Sequence, residues 1–181
     1  LTGTKWERLF RYLALDAMGA HLHRWRLNLA TGLVKEERLS ESVTEFGMMN
    51  GDFTGRDYRY AVASTGRPGW FLFDGFVRHD VVSGAEERFG YGDGVHGSET
   101  AVAPKVGAVG EEDAYVITLT TDMNADASYC LVFDLARVSD GPVCKLKLPQ
   151  RISSGTHSTW AAGSELRKWR TEESAASAVG L

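Results

Sequence analysis

His157 lies in the stretch Arg151-Ile152-Ser153-Ser154-Gly155-Thr156-His157-Ser158-Thr159-Trp160, among residues too small to bury an imidazole, so a metal or substrate has room to approach it. Two carboxylates share its setting, Glu45 in Val43-Thr44-Glu45-Phe46-Gly47 and Glu99 in Gly97-Ser98-Glu99-Thr100, each expected in a loop beside a strand. The three positions step by 54 and 58 residues. Equivalent positions in successive repeats of a sheet protein converge on a common axis. A histidine met there by carboxylates suits a metal site, because a carboxylate that accepts one ring N–H leaves the other nitrogen to face the metal. The alternative is that both glutamates are solvated loop residues.

Other groups compete for such a role. His21-Leu22-His23 puts two imidazoles on one face of a strand, a spacing that metals use, but Trp25 shares the face and the stretch falls in an outer hairpin. His79 and His96 are expected at the surface. Asp122, Asn124 and Asp126 alternate as in a calcium loop but lack its downstream Gly and Glu, and a solvated turn is the better reading. Gly90-Tyr91-Gly92-Asp93-Gly94 has no strand-then-helix setting and is expected to be a loop, not a phosphate cradle. Cys130 and Cys144 sit in apolar runs without C-x-x-C spacing, which predicts reduced, buried thiols.

The 181 residues are 43% hydrophobic and 24% charged, enough for a substantial core. A net charge of −4 with dispersed basic residues argues against a nucleic-acid partner. The sequence has neither a long apolar run nor a basic-then-apolar leader, and a cytoplasmic location is expected. The chain begins at Leu1, not Met, and is expected to be part of something longer.

The elements that must carry these groups read as strands. Residues 5–20 settle as neither helix nor strand, although Leu13 and Leu15 fit an alternation. From His21 to Leu29 and from Leu33 to Leu39 the pattern is a hairpin about Ala30-Thr31-Gly32. Strands follow at Tyr58–Ala63, Trp70–Phe73, Phe76–Val82, Ala85–Phe89, Ala114–Thr121 and Ser128–Phe133. Arg24–Leu39 resembles Phe76–Phe89, and more loosely Leu131–Leu148. Their turn glycines Gly32, Gly84 and Gly141 lie 52 and 57 residues apart, the period of a propeller blade with its loops. The expectation is an all-β fold, a partial β-propeller of about three blades over residues 1–163, with a helix-compatible tail over 164–181. Three blades cannot close a ring.

Arg24-Trp25-Arg26-Leu27 before a Thr-Gly turn, Glu45-Phe46 with Asn50, Glu99-Thr100 with Pro104-Lys105, Phe133-Asp134, and Leu148-Pro149-Gln150-Arg151-Ile152 leading to Gly155-Thr156-His157 occur in the order found in the carotenoid oxygenase family, which the chain resembles from Leu22 to Trp160. That resemblance implies a seven-bladed propeller whose axial Fe(II) is held by four histidines, with three glutamates orienting the imidazoles. It implies that His157 is the last iron ligand and that Glu45 and Glu99 are orienting carboxylates, with the pairing of glutamate to histidine left open. The sequence departs from the family pattern in having Gly-Thr-His-Ser where Gly-Phe-His-Gly is common, and Phe-Gly after Glu45 where Phe-Pro is usual. Thr156 is similar to the stilbene-cleaving branch.

The resemblance implies the C-terminal part of a dioxygenase that uses O2 to cleave a conjugated C=C bond of an apolar polyene or stilbene. The other iron ligands would come from the upstream part of the same protein, and peripheral contact with a membrane to collect a lipid-like substrate is left open. One histidine cannot hold iron, so these residues by themselves are expected to bind no Fe(II) tightly. The other expectation, from a different class, is a propeller-type binding module without catalytic activity.

Overall fold

In the computed structural model, residues 4–13, 15–153 and 155–168 are described, with only the backbone of residues 6, 10 and 11. Two short helices come first, α1 (Lys5–Tyr12) and α2 (Leu15–Met18). Thr4 and Glu7 start α1 reciprocally: the Thr4 hydroxyl accepts from the Glu7 N–H and the Glu7 carboxylate accepts from the Thr4 N–H. The open reading of 5–20 thus resolves to helix over 5–12 and 15–18. Leu15, fully buried, sits over Gly66, where a Cβ would collide with it.

From His21 to Lys147 the chain is mainly antiparallel sheet. The strands are β1 (His21–Leu27), β2 (Val34–Met48), β3 (Tyr60–Gly66), β4 (Phe73–Asp80), β5 (Glu86–Gly90), β6 (Val95–Gly97), β7 (Ala101–Pro104), β8 (Ala114–Asp122), β9 (Ala127–Asp134) and β10 (Cys144–Lys147). They pair in the order β1-β2-β3-β4-β6-β8-β9-β10, with β5 added to β4 and β7 to β8. This arrangement contains two four-stranded meanders, β2 to β5 and β7 to β10. They are preceded by a hairpin of β1 and the first half of β2. The sheet is open, as an all-β, partial-propeller reading requires, and the three repeats are one outer pair and two full units.

The repeat is visible in the turns. Gly32 (φ 72°) donates its N–H to the Asn28 carbonyl and Gly84 (φ 78°) to that of Asp80, the left-handed backbone favouring glycine at both. The Asn28 side chain caps the amides of residues 30 and 31, and Asp80 those of 82 and 83. The third copy is looser because a 3-10 helix, Leu135–Asp140, replaces the tight turn before Gly141.

Several boundaries differ from expectation. Trp70–Phe73 and Phe76–Val82 are not separate strands: 67–72 is the connection between β3 and β4, and β4 runs unbroken from Phe73 to Asp80. β2 continues past Leu39 to Met48, and the short strands β6 and β7 were not anticipated. Beyond Gly163 the chain is helical over 163–168. The tail from 169, with Trp169, Glu172 and Glu173, lies outside the described residues, as does Ser154.

The core lies between the two meanders. Val62 and Phe76 of one meet Val102, Val116, Leu131 and Phe133 of the other, all at most 6% exposed. Phe133 packs edge-on against Phe76 (4.9 Å between ring centroids) and Phe89 (4.7 Å). Each buried phenylalanine contributes roughly 1.5–3 kcal/mol, enough to lock β4 of one unit against β9 of the next. No helix among the described residues is long and apolar enough to cross a membrane.

Candidate metal centre

Both glutamates lie where the inner strand of a meander gains one residue over its neighbour. In the first meander Glu45 faces Ser64 while Met48 faces Val62. In the second Gly97 faces Thr120 while Ala101 faces Ile117. The extra residue is a bulge, which bends the strand and re-aims the side chains beside it. Glu99 is therefore in the break between β6 and β7, as expected of a loop residue. Glu45, expected in a loop, is instead on β2, because β2 runs through its bulge without ending.

Glu99 is 6% exposed and its backbone is fixed on both sides. The Ser98 carbonyl accepts from the Ser64 hydroxyl (3.4 Å) and the Thr118 hydroxyl (3.3 Å), and the Ser98 hydroxyl donates to the Glu99 carbonyl (3.1 Å). A buried carboxylate needs donors, and the loop after β10 supplies them. The Ser158 N–H donates to Glu99 Oε2 at 2.6 Å and the Ser158 hydroxyl to the Glu99 carbonyl at 3.0 Å, while His157 Nδ1 stands 3.3 Å from the same Oε2. With the proton on Nδ1, the Nε2 lone pair is free, and the His157 side chain is 76% exposed. This is the tautomer that a metal ligand requires.

Phe46 closes one side. It is in the left-handed region at φ 56°, which turns its ring edge-on to the His157 ring at 4.9 Å and against Phe73 (5.2 Å) and Phe71 (6.3 Å). Glu45 is half-buried, and its Oε2 accepts from the Phe46 N–H at 3.1 Å. Among the described residues the structure brings together His157 and Glu99 and places Phe46 beside them, while Glu45 meets no histidine. Ser158 and Phe46 escaped the sequence reading. Ser158 adjoins the histidine and could have been weighed as a loop anchor, but nothing in the sequence signals a phenylalanine with positive φ.

The other histidines are engaged elsewhere. His21 bonds to the Ser42 carbonyl and to Arg38, and His23 stacks on Trp25 at 4.3 Å. His79 and His96 are not surface residues. His79 is 2% exposed and His96 half-buried, and burial lowers the pKa of both imidazoles, ahead of any charged neighbour. The thiols of Cys130 and Cys144 are free, and half-buried rather than buried, on the paired strands β9 and β10. The Asp122–Asp126 segment is the β8–β9 turn, with Asp122 capping the amides of 124 and 125. No group of three or more His, Cys, Asp or Glu side chains able to hold a metal occurs among the described residues.

The family model described as "Retinal pigment epithelial membrane protein" matches residues 4–162. The chain is 30% identical over 168 residues to carotenoid 9,10(9',10')-cleavage dioxygenase 1 of Pisum sativum, covering 85% of this chain and 31% of that one. It is 26% identical over 160 residues to lignostilbene-alpha,beta-dioxygenase isozyme III of Sphingomonas paucimobilis, covering 81% and 33%. Its fold is similar to that of a cobalt-substituted Synechocystis apocarotenoid oxygenase, with a TM-score of 0.72 and 22% identity over 78% of this chain and 30% of that one. The chain spans about a third of the length of the curated relatives it matches.

Proposed function

The chain belongs to the carotenoid oxygenase family, and on that premise we propose that it is part of a non-haem Fe(II) dioxygenase that cleaves a conjugated C=C bond of a carotenoid, apocarotenoid or stilbene into two carbonyl products. The observation that carries this reading is the Glu99–His157 pair, in which Nδ1 is held by a carboxylate and Nε2 is free at an exposed face. The names of the carotenoid and lignostilbene relatives support the reaction class, and the cobalt-substituted relative supports a divalent metal.

His157 Nε2 fits one metal position, and the remaining ligands belong to the rest of the protein. Bound Fe(II), with positions left open among neutral imidazoles, supplies the site for O2 chemistry. The residues of this chain prepare that site. Glu99 keeps the proton on His157 Nδ1 and raises the basicity of Nε2. Phe46 stands edge-on to His157 with Phe71 and Phe73 packed against it, an aromatic side that suits a conjugated, apolar substrate. Glu45 orients an imidazole supplied from outside the chain. The products account for both oxygen atoms of O2, one per carbonyl, with the C=C bond broken and two C=O bonds formed.

The test is made in the full-length protein, by metal analysis and by mass spectrometry of products formed under 18O2 from an apocarotenoid and a stilbene. The wild type is expected to carry one iron and to label both carbonyls, and His157→Ala to lose iron and cleavage together. Full activity in His157→Ala would overturn the assignment. A wild type with neither iron nor cleavage would leave the binding-module reading.

A further inference from the structure

His157 and Ser158 make three hydrogen bonds to Glu99. The two shorter ones come from Ser158, at 2.6 Å from its N–H and 3.0 Å from its hydroxyl. The bond from His157 is the longest, at 3.3 Å. His157 is thus carried by a loop that Ser158 anchors. The two Ser158 bonds reach different parts of Glu99, its carboxylate and its own carbonyl, so they fix the loop in orientation as well as in distance. The Glu99 carbonyl already accepts from the Ser98 hydroxyl, so the Ser158 hydroxyl joins a cluster rooted in the sheet through Ser64 and Thr118.

We infer that Ser158 is a positioning residue for the metal ligand: its hydroxyl, acting through the Glu99 carbonyl, holds the loop so that His157 Nδ1 stays on Glu99 Oε2 and Nε2 stays aimed at the metal. This rests on the metal-site reading above and adds to it. An unanchored His157 side chain, 76% exposed, can swing away from Glu99, and the metal must then capture it from a wider range of orientations. One hydrogen bond of this kind stabilises by an amount that corresponds to about a fivefold change in an equilibrium constant.

The experiment is a Co(II) titration of the full-length protein freed of metal, read by the ligand-field absorption bands and by the dissociation constant, with the thermal midpoint of the metal-free protein as control. Ser158→Ala, which keeps the main-chain bond to Oε2, is expected to weaken Co(II) binding about 3- to 10-fold and to shift or broaden the bands, with the metal-free midpoint little changed. Ser158→Thr retains a hydroxyl and is expected to restore both the affinity and the bands. Wild-type affinity and bands in Ser158→Ala would overturn the inference, as would equal losses in the Ala and Thr variants. Both of those outcomes leave the metal-site reading standing, whereas a wild type that binds no Co(II) defeats the two together.

Discussion

A single oxygen, Glu99 Oε2, accepts from His157 Nδ1 at 3.3 Å and from the Ser158 N–H at 2.6 Å, so the group that orients the imidazole is itself held by the next residue's backbone. Both donors need an acceptor. Glu99→Gln keeps the size but loses the charge, and only one of its two amide atoms can accept. Metal affinity in the full-length protein is therefore expected to fall about 10- to 100-fold, the usual cost of losing a ligand's orienting partner. Equilibrium metal binding measures this, and an unchanged dissociation constant would mean that the carboxylate does not set the ligand's orientation.

Phe46 makes an unusual stability comparison. Its backbone is left-handed, which costs a non-glycine residue roughly 1–2 kcal/mol, and its ring supplies the contacts with Phe71, Phe73 and His157. Phe46→Ala loses the ring and keeps the strain. Phe46→Gly loses the ring and relieves the strain, so the glycine variant is expected to be the more stable of the two by about 1 kcal/mol, the reverse of the usual order in a strand. Urea midpoints check the order, and an alanine variant at least as stable as the glycine variant would contradict a strained bulge at Phe46.

The parts of this arrangement that follow local rules were legible in the sequence. Asn28 to Gly32 and Asp80 to Gly84 announce the same turn because a side-chain cap and a left-handed glycine each demand a residue type. The alternation of Ala114, Val116 and Thr118 inward with Tyr115 and Leu119 outward made β8 plain. Glu45 and Glu99, 54 residues apart, stand at matching bulges of two repeats, whereas His157 reaches Glu99 from the loop after β10 and not from a third such strand. The strands β6 and β7 were hidden because the bulge at 98–100 splits the inner strand into pieces too short to show a period. The burial of His79 was hidden because it depends on packing between β4, β5 and residues 40–42, which no local pattern encodes.

That burial has a pH signature. His79 Nδ1 lies 3.3 Å from Glu86 Oε1, and Glu86 also accepts from Ser40, Ser42 and Arg88. Burial pushes the Glu86 carboxyl up, but the hydrogen bonds from the two serines and from Arg88 outweigh it and hold its pKa at about 2. For His79 the opposing influences fall the other way. The attraction of Glu86 would keep the imidazolium, but at 2% exposure, with Nε2 lacking a partner among the described residues and Arg88 nearby, desolvation wins and the pKa is lowered. A lowered histidine takes up its proton in the unfolded chain first, so stability is fully present above the ordinary value of about 6.5 and declines as pH falls below it. Glu86, also lowered, adds a second decline from its ordinary 4.5 toward about 2. His79→Asn retains a donor for Glu86 but cannot titrate, so in urea unfolding from pH 7.5 to 5 it is expected to flatten the first decline. His96, buried in part, sustains what is left. Equal slopes in the variant and the wild type would show that His79 does not titrate differently on folding. Stability that rises as pH falls through this window would show the His79–Glu86 contact to be a true ion pair.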